Sequence, residues 1–117
     1  MAKPYASELA RLRETLRWAS STDIESLKNA VKTAGLSTLS AIGSGGSLTA
    51  AHALAALHQL FTGKPGLVQT TLEAANANLD PSVSQWLLSA GGSNVDINAA
   101  AVSLIEREHR QVAVMCG

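Results

Sequence analysis

Apolar residues recur along this chain in two rhythms, and the change between them separates its elements. Over residues 4–20 the leucines at 9, 12 and 16, with arginines between them, follow a helical stripe. "TDIE", at 22–25, fits a capping box in which Thr22 accepts from the Glu25 amide while Glu25 reaches back. A second helix is therefore predicted to run to about Ala34, with Gly35 as its stop. The rhythm then shifts. "LSTLSAI" at 36–42 is short, apolar and followed at once by glycines, the pattern of a buried strand. Ser47 is expected to cap a helix reaching about Phe61, which "GKPG" at 63–66 ends. "LVQTTL" at 67–72 reads as a strand, and 76–81 as a loop with room for one helical turn. "SQWLLSA" at 84–90 is another strand, 94–109 a helix and "QVAVMC" at 111–116 a last strand. Strands alternating with helices predict parallel pairing through right-handed crossovers, hence an α/β sheet covered by helices on both faces.

Length and composition narrow this picture. A chain of 117 residues has room for one domain with a real core. With 46% hydrophobic residues, 15% charged residues and zero formal net charge, it reads as globular and soluble. That balance gives no electrostatic reason to expect a nucleic acid, and the sparse aromatics (Tyr5, Trp18, Phe61, Trp86) offer no stacking platform. The apolar run at 50–57 is too short to cross a bilayer, and His52 interrupts it. Lys3, Glu8, Arg11, Arg13 and Glu14 make the first fifteen residues unlike a signal peptide, so a cytoplasmic protein without membrane contact is expected. The single cysteine, Cys116, excludes an internal disulfide and is expected to pack in the core behind its apolar strand.

The chemistry lies in two bare turns. "LSAIGSGGS" at 39–47 and "LLSAGGS" at 87–93 each run from apolar strand through small residues to a helix start. Such a turn presents backbone N–H groups at the positive end of a helix, an anion site by geometry and dipole. Gly43, Gly45 and Gly46 permit close approach, and the hydroxyl of Ser44 adds a donor without a full charge. In an open parallel sheet ligands collect at the carboxyl ends of the strands, so neighbouring strands at 36–42 and 84–90 would aim both loops into one crevice. Two larger phosphate motifs fail. The dinucleotide fingerprint needs Gly or Ala at 48, where the chain has Leu48, and a P-loop needs a lysine, absent between Lys32 and Lys64. A small monophosphate held by amides and hydroxyls fits best.

"GSGGS" before a helix, "TTLE" after the second strand and "SAGGSNVD" before the next helix together resemble the sugar isomerase (SIS) domain family. The resemblance covers about residues 22–117 and leaves 1–21 as an N-terminal helix and candidate oligomer contact. It implies a parallel sheet of flavodoxin-like order 2-1-3-4-5 flanked by helices. Here that sheet would be truncated after its fourth strand, with the remainder supplied elsewhere. It also implies phosphosugar binding by a dimer or larger oligomer, or by this chain with a second chain that completes it. Carried over by position, Ser47 and Ser89 touch the phosphate, Ser44 lies nearby, and Gly91, Gly92, Ser93 and Asn94 form the second helix start. Gly91 and Asn94 depart from the family's Ser and Thr and shift recognition toward backbone amides.

For aldose–ketose isomerisation, which moves a proton between adjacent carbons, the resemblance makes Glu73 the candidate base. The alternative role for Glu73 is a helix-starting carboxylate that favours the dipole. His52, little more than a turn from the first loop, is a second catalytic candidate, set against a structural histidine. His52 and His58 are separated by about 240° of helical rotation, a poor metal pair. Phosphoheptose isomerases of the family place a zinc-binding histidine where this chain has Ala53, so no metal and no cofactor is expected. The function so implied is a sugar-phosphate isomerase. The alternative is a non-catalytic phosphosugar-sensing or regulatory domain.

Overall fold

Four short apolar runs, none long enough to form a buried helical stripe, pair side by side as strands. The computed structural model describes residues 5–91 and 95–116. In chain order it contains α1 (Tyr5–Ala10), α2 (Leu12–Ser21), α3 (Glu25–Ala34), β1 (Leu39–Ile42), α4 (Gly46–Thr62) and β2 (Gly66–Gln69). There follow α5 (Thr71–Asn76), β3 (Ser84–Ser89), α6 (Val95–Glu106) and β4 (Gln111–Cys116). The four strands form one parallel sheet of order β2-β1-β3-β4. The expected α/β class, a parallel sheet flanked by helices, is what the chain adopts.

Strand β1 lies inside the sheet and all four of its residues are buried. A strand covered on both faces cannot alternate apolar and polar positions, which is why "LSAI" reads as a nearly continuous apolar run. On one face Leu39, Ala41 and Trp86 pack against Ala34 of α3 and Ala51 of α4. On the other, Ile42 and Leu87 pack against Ala74 of α5 and Ile97, Ala100 and Leu104 of α6. The spacing of Ile97, Ala100 and Leu104 puts them on one stripe of α6, and that stripe is the buried one. Full burial of side chains such as Ile42, Leu87 and Leu104 stabilises the fold by about 1.5–3 kcal/mol each. Trp86 is buried with its indole N–H satisfied: Nε1 donates to Gln111 Oε1 at 3.1 Å, and Gln111 Nε2 donates to the Ala30 carbonyl at 3.0 Å. One glutamine thereby ties β4, β3 and α3 together.

Element ends depart from expectation where side chains compete for backbone groups. The helix expected over residues 4–20 is interrupted at Arg11, whose φ of −90° and ψ of −3° stay in the right-handed region. The capping box expected at Thr22–Glu25 does not form. Asp23 Oδ1 accepts from the Glu25 amide at 3.0 Å instead, and the Thr22 hydroxyl donates back to the Trp18 carbonyl. A side-chain cap does form later in the chain: Thr70 Oγ1 accepts from the Glu73 amide at 3.2 Å and donates to Glu73 Oε1 at 3.1 Å. This starts α5 at Thr71 and ends β2 at Gln69, so the strand expected over 67–72 is shorter and the helical turn expected within 76–81 comes earlier. Helix α4 closes at Gly63 in the left-handed region, with its amide donating to the Gln59 carbonyl at 3.0 Å. Among the described residues no helix is long and apolar enough to cross a membrane.

Candidate functional site: a crevice at the carboxyl ends of β1 and β3

Strands β1 and β3 are hydrogen-bonded neighbours, with Leu39 opposite Ser84 and Ile42 opposite Leu87. The loops that follow them therefore leave the same edge of the sheet side by side. The chain passes from β1 through α4 to β2 on one flank, and from β3 through α6 to β4 on the other. Divergent crossovers open a gap between the two loops, the place where ligands bind in open α/β sheets. Here that gap is a crevice of about 800 Å³. Ser44, Gly46, Ser47 and Ala50 line one side, and Leu88, Ser89, Ala90 and Gly91 line the other. Ile97, Met115 and Cys116 complete the lining.

The first loop is tightly folded. The Gly43 amide donates to the Gln69 carbonyl at 3.1 Å, and a Cβ on Gly43 would stand 2.5 Å from the Ser47 carbonyl oxygen. No side chain fits beneath the first turn of α4. Gly45 is the N-cap residue, with φ 58° and ψ −129°, a conformation open in practice to glycine. The expectation that Ser47 caps α4 is thus corrected: Ser47 sits inside the first turn, and no side chain caps this helix. The Ser47 and Leu48 amides close on the carbonyls of Ser44 and Gly45, each at 3.1 Å. The N–H groups of Ser44, Gly45 and Gly46 find no acceptor among the described residues. The positive end of a seventeen-residue helix thus lies at the crevice wall, where Ser44, Gly46 and Ser47 form the lining.

The second loop contributes the half-buried Ser89 and the exposed Ala90 and Gly91. Gly92, Ser93 and Asn94, expected at the start of the next helix, lie outside the described residues. Among the described residues the lining holds no Lys, Arg, His, Asp or Glu. An anion seated there would be held by neutral donors and a helix dipole, so its charge would not be cancelled by a cation.

The two catalytic candidates stand apart from this lining. Glu73 is exposed at the start of α5, where its carboxylate accepts from Thr70. His52 is exposed on α4, and His58 is buried on the same helix with Nε2 2.9 Å from the Ser37 carbonyl oxygen. His109 Nδ1 lies 3.3 Å from the Val83 carbonyl oxygen. Nearby, the Asp80 carboxyl is held below its ordinary value, chiefly by hydrogen bonds from Ser82 and to a lesser extent by His109. No group of three His, Cys, Asp or Glu residues capable of holding a metal occurs among the described residues.

Cys116 corrects its expectation. It is exposed and lines the crevice rather than packing in the core, because β4 is an edge strand whose last residues extend beyond the helical cover. Reading the sequence loop by loop missed Met115 and Cys116 as crevice residues. The available signal was topological: in an all-parallel sheet every strand ends on the same edge, so the last residues of "QVAVMC" reach the edge that carries the glycine turns. No family model and no curated protein sequence matches the chain.

Proposed function

We propose that this chain binds a small phosphorylated metabolite, a sugar phosphate by its resemblance to the sugar isomerase domain, in the crevice between the loops after β1 and β3. One observation carries the reading. Two Gly/Ser turns on adjacent parallel strands face a common crevice, and the helix that starts in the first turn has no side-chain cap. The phosphate is assigned to the amides of Ser44, Gly45 and Gly46 with the hydroxyls of Ser44, Ser47 and Ser89. The sugar is assigned to the side bounded by Leu88, Ile97 and Met115.

Binding without turnover is preferred to isomerisation. Among the described residues the one titratable side chain in the lining is Cys116, and the Glu73 carboxylate is engaged with Thr70. Titrating an aldose phosphate and its ketose isomer against the ¹⁵N-labelled chain tests the assignment. Amide shifts should concentrate at residues 43–47 and 89–91, and shifts spread over the remaining surface would defeat it. The isomerase reading makes a separate demand: exchange of the sugar C2 hydrogen with solvent, abolished by Glu73→Gln. Saturable binding with no exchange is the expected result.

A further inference from the structure

The floor of the crevice is divided by the alternation of β3 and β4. Leu88 and Met115 are register partners on these adjacent parallel strands, so their side chains project side by side from one face of the sheet. That face is the one α3 and α4 cover. Trp86 belongs to the buried cluster with Ala34 of α3 and Ala51 of α4, and Leu88 and Ala113 pack against it. Met115 lies two residues beyond Ala113 on the same face, yet it is 37% exposed, and Leu88 is only half-buried. Both line the crevice. The next pair along the strands, Ser89 and Cys116, projects from the opposite face. A hydroxyl and a thiol thus stand on one side of the strand ends, and an open shelf of two large apolar side chains on the other.

We infer that the ligand is a sugar phosphate bearing an acyl group, and that this group lies on Leu88 and Met115. The inference rests on the phosphate-binding reading given above and adds what the remainder of the crevice selects. The phosphate, seated at residues 44–47, takes only part of a space of about 800 Å³. A sugar hydroxyl set against Leu88 and Met115 would give up hydrogen bonds to water and find none there in return. The methyl end of an acyl chain has no such bonds to lose. It withdraws its own surface and that of both side chains from water. Met115, with its unbranched and flexible thioether, can follow acyl chains of different length. It is therefore the specificity-determining residue of the crevice.

Calorimetric titration of the intact chain with three esters tests this: glucose 6-phosphate, N-acetylglucosamine 6-phosphate and N-butanoylglucosamine 6-phosphate. They share the phosphate and the ring and differ only in the substituent at C2. Affinity should rise about fivefold from hydroxyl to acetyl, and about fourfold more from acetyl to butanoyl, on a shelf that covers one side of the chain. Met115→Gln, at an edge-strand position already partly exposed, should bring the butanoyl-to-acetyl ratio close to one, with near-ultraviolet circular dichroism unchanged. The series on the parent chain decides the matter even if that variant fails to fold. Equal affinities, or a preference for glucose 6-phosphate, would overturn the acyl assignment and leave the phosphate site standing, as would binding of inorganic phosphate alone. Binding of no ester and no inorganic phosphate would defeat the proposed function and this inference together. A folded Met115→Gln chain that keeps the parental ratio would overturn the placement on Leu88 and Met115.

Discussion

Helices α4 and α5 each begin just beyond the carboxyl end of a strand, and their first turns are completed in opposite ways. At α5 the chain supplies its own acceptor: Thr70 takes the Glu73 amide, and the Glu73 carboxylate sits over the helix start. At α4 the corresponding positions are Gly45 and Leu48, which have no acceptor to offer, and the amides of Ser44, Gly45 and Gly46 keep no acceptor among the described residues. The backbone chemistry at the two ends is the same. One end carries a side-chain cap and stands apart from the crevice lining; the other carries none and forms part of its wall. In this protein, then, the sign of a ligand site is the pairing of bare turns on adjacent strands at one crevice, and not the missing cap alone, which α2 and α3 share with α4.

This contrast can be broken most severely at Gly43. Gly43→Ala would drive a methyl group into the backbone of Ser47 and Leu48, so it should lower stability by about 3 kcal/mol and displace the loop. Chemical denaturation together with phosphate titration checks this, and an alanine variant as stable as the parent would show that the close packing under α4 is not required. Gly46→Asp sharpens the contrast by giving α4 the carboxylate that α5 already has. Nothing lies within 4 Å of a Cβ at that position, so the fold should tolerate the change. The carboxylate should weaken inorganic phosphate binding about tenfold while adding about 0.5 kcal/mol of stability through the dipole. Calorimetric titration set beside a melting curve separates the two effects.

Thr70→Ala is the complementary change at the closed end. It should cost about 1 kcal/mol through the lost cap and leave phosphate affinity unchanged. A fall in affinity there would mean that α5 takes part in the site. The smallest effect concerns Asp80, remote from both helix starts. Its carboxyl is held below the ordinary value of 3.8 by Ser82, so it contributes stability above the unfolded-state pKa. That contribution is lost as pH falls through the folded-state pKa. Acid unfolding of Asp80→Asn between about pH 5 and about pH 2 should therefore show a slightly shallower loss of stability than the parent.

Much of the architecture was legible in the sequence because burial on two faces leaves a plain mark. "LSTLSAI", "SQWLLSA" and "QVAVMC" stand out as apolar runs closed by small or polar residues, and each contains a strand, though β1 begins three residues inside its run. The glycine turns were legible for the same local reason, since Gly43 and Gly45 occupy positions where a side chain would clash or be strained. Caps were read less well. Thr22 and Thr70 are both followed three residues later by a glutamate, yet only Thr70 takes that glutamate's amide as a cap. At Thr22 the hydroxyl turned back to the Trp18 carbonyl and Asp23 took the amide, a local competition that the motif alone does not resolve.

By itself the sequence determined the order of helices and strands, the parallel class of the sheet and the bareness of the two turns. These follow from which side chains seek burial and which backbone conformations a residue permits, properties carried by short stretches of chain. Tertiary structure alone decided that β1 and β3 are neighbours, that Met115 and Cys116 reach the crevice, and that Glu73 stands apart from the crevice lining. Each depends on contacts between residues far apart in the chain, where pairing is settled by the packing of the whole sheet and not by any one segment.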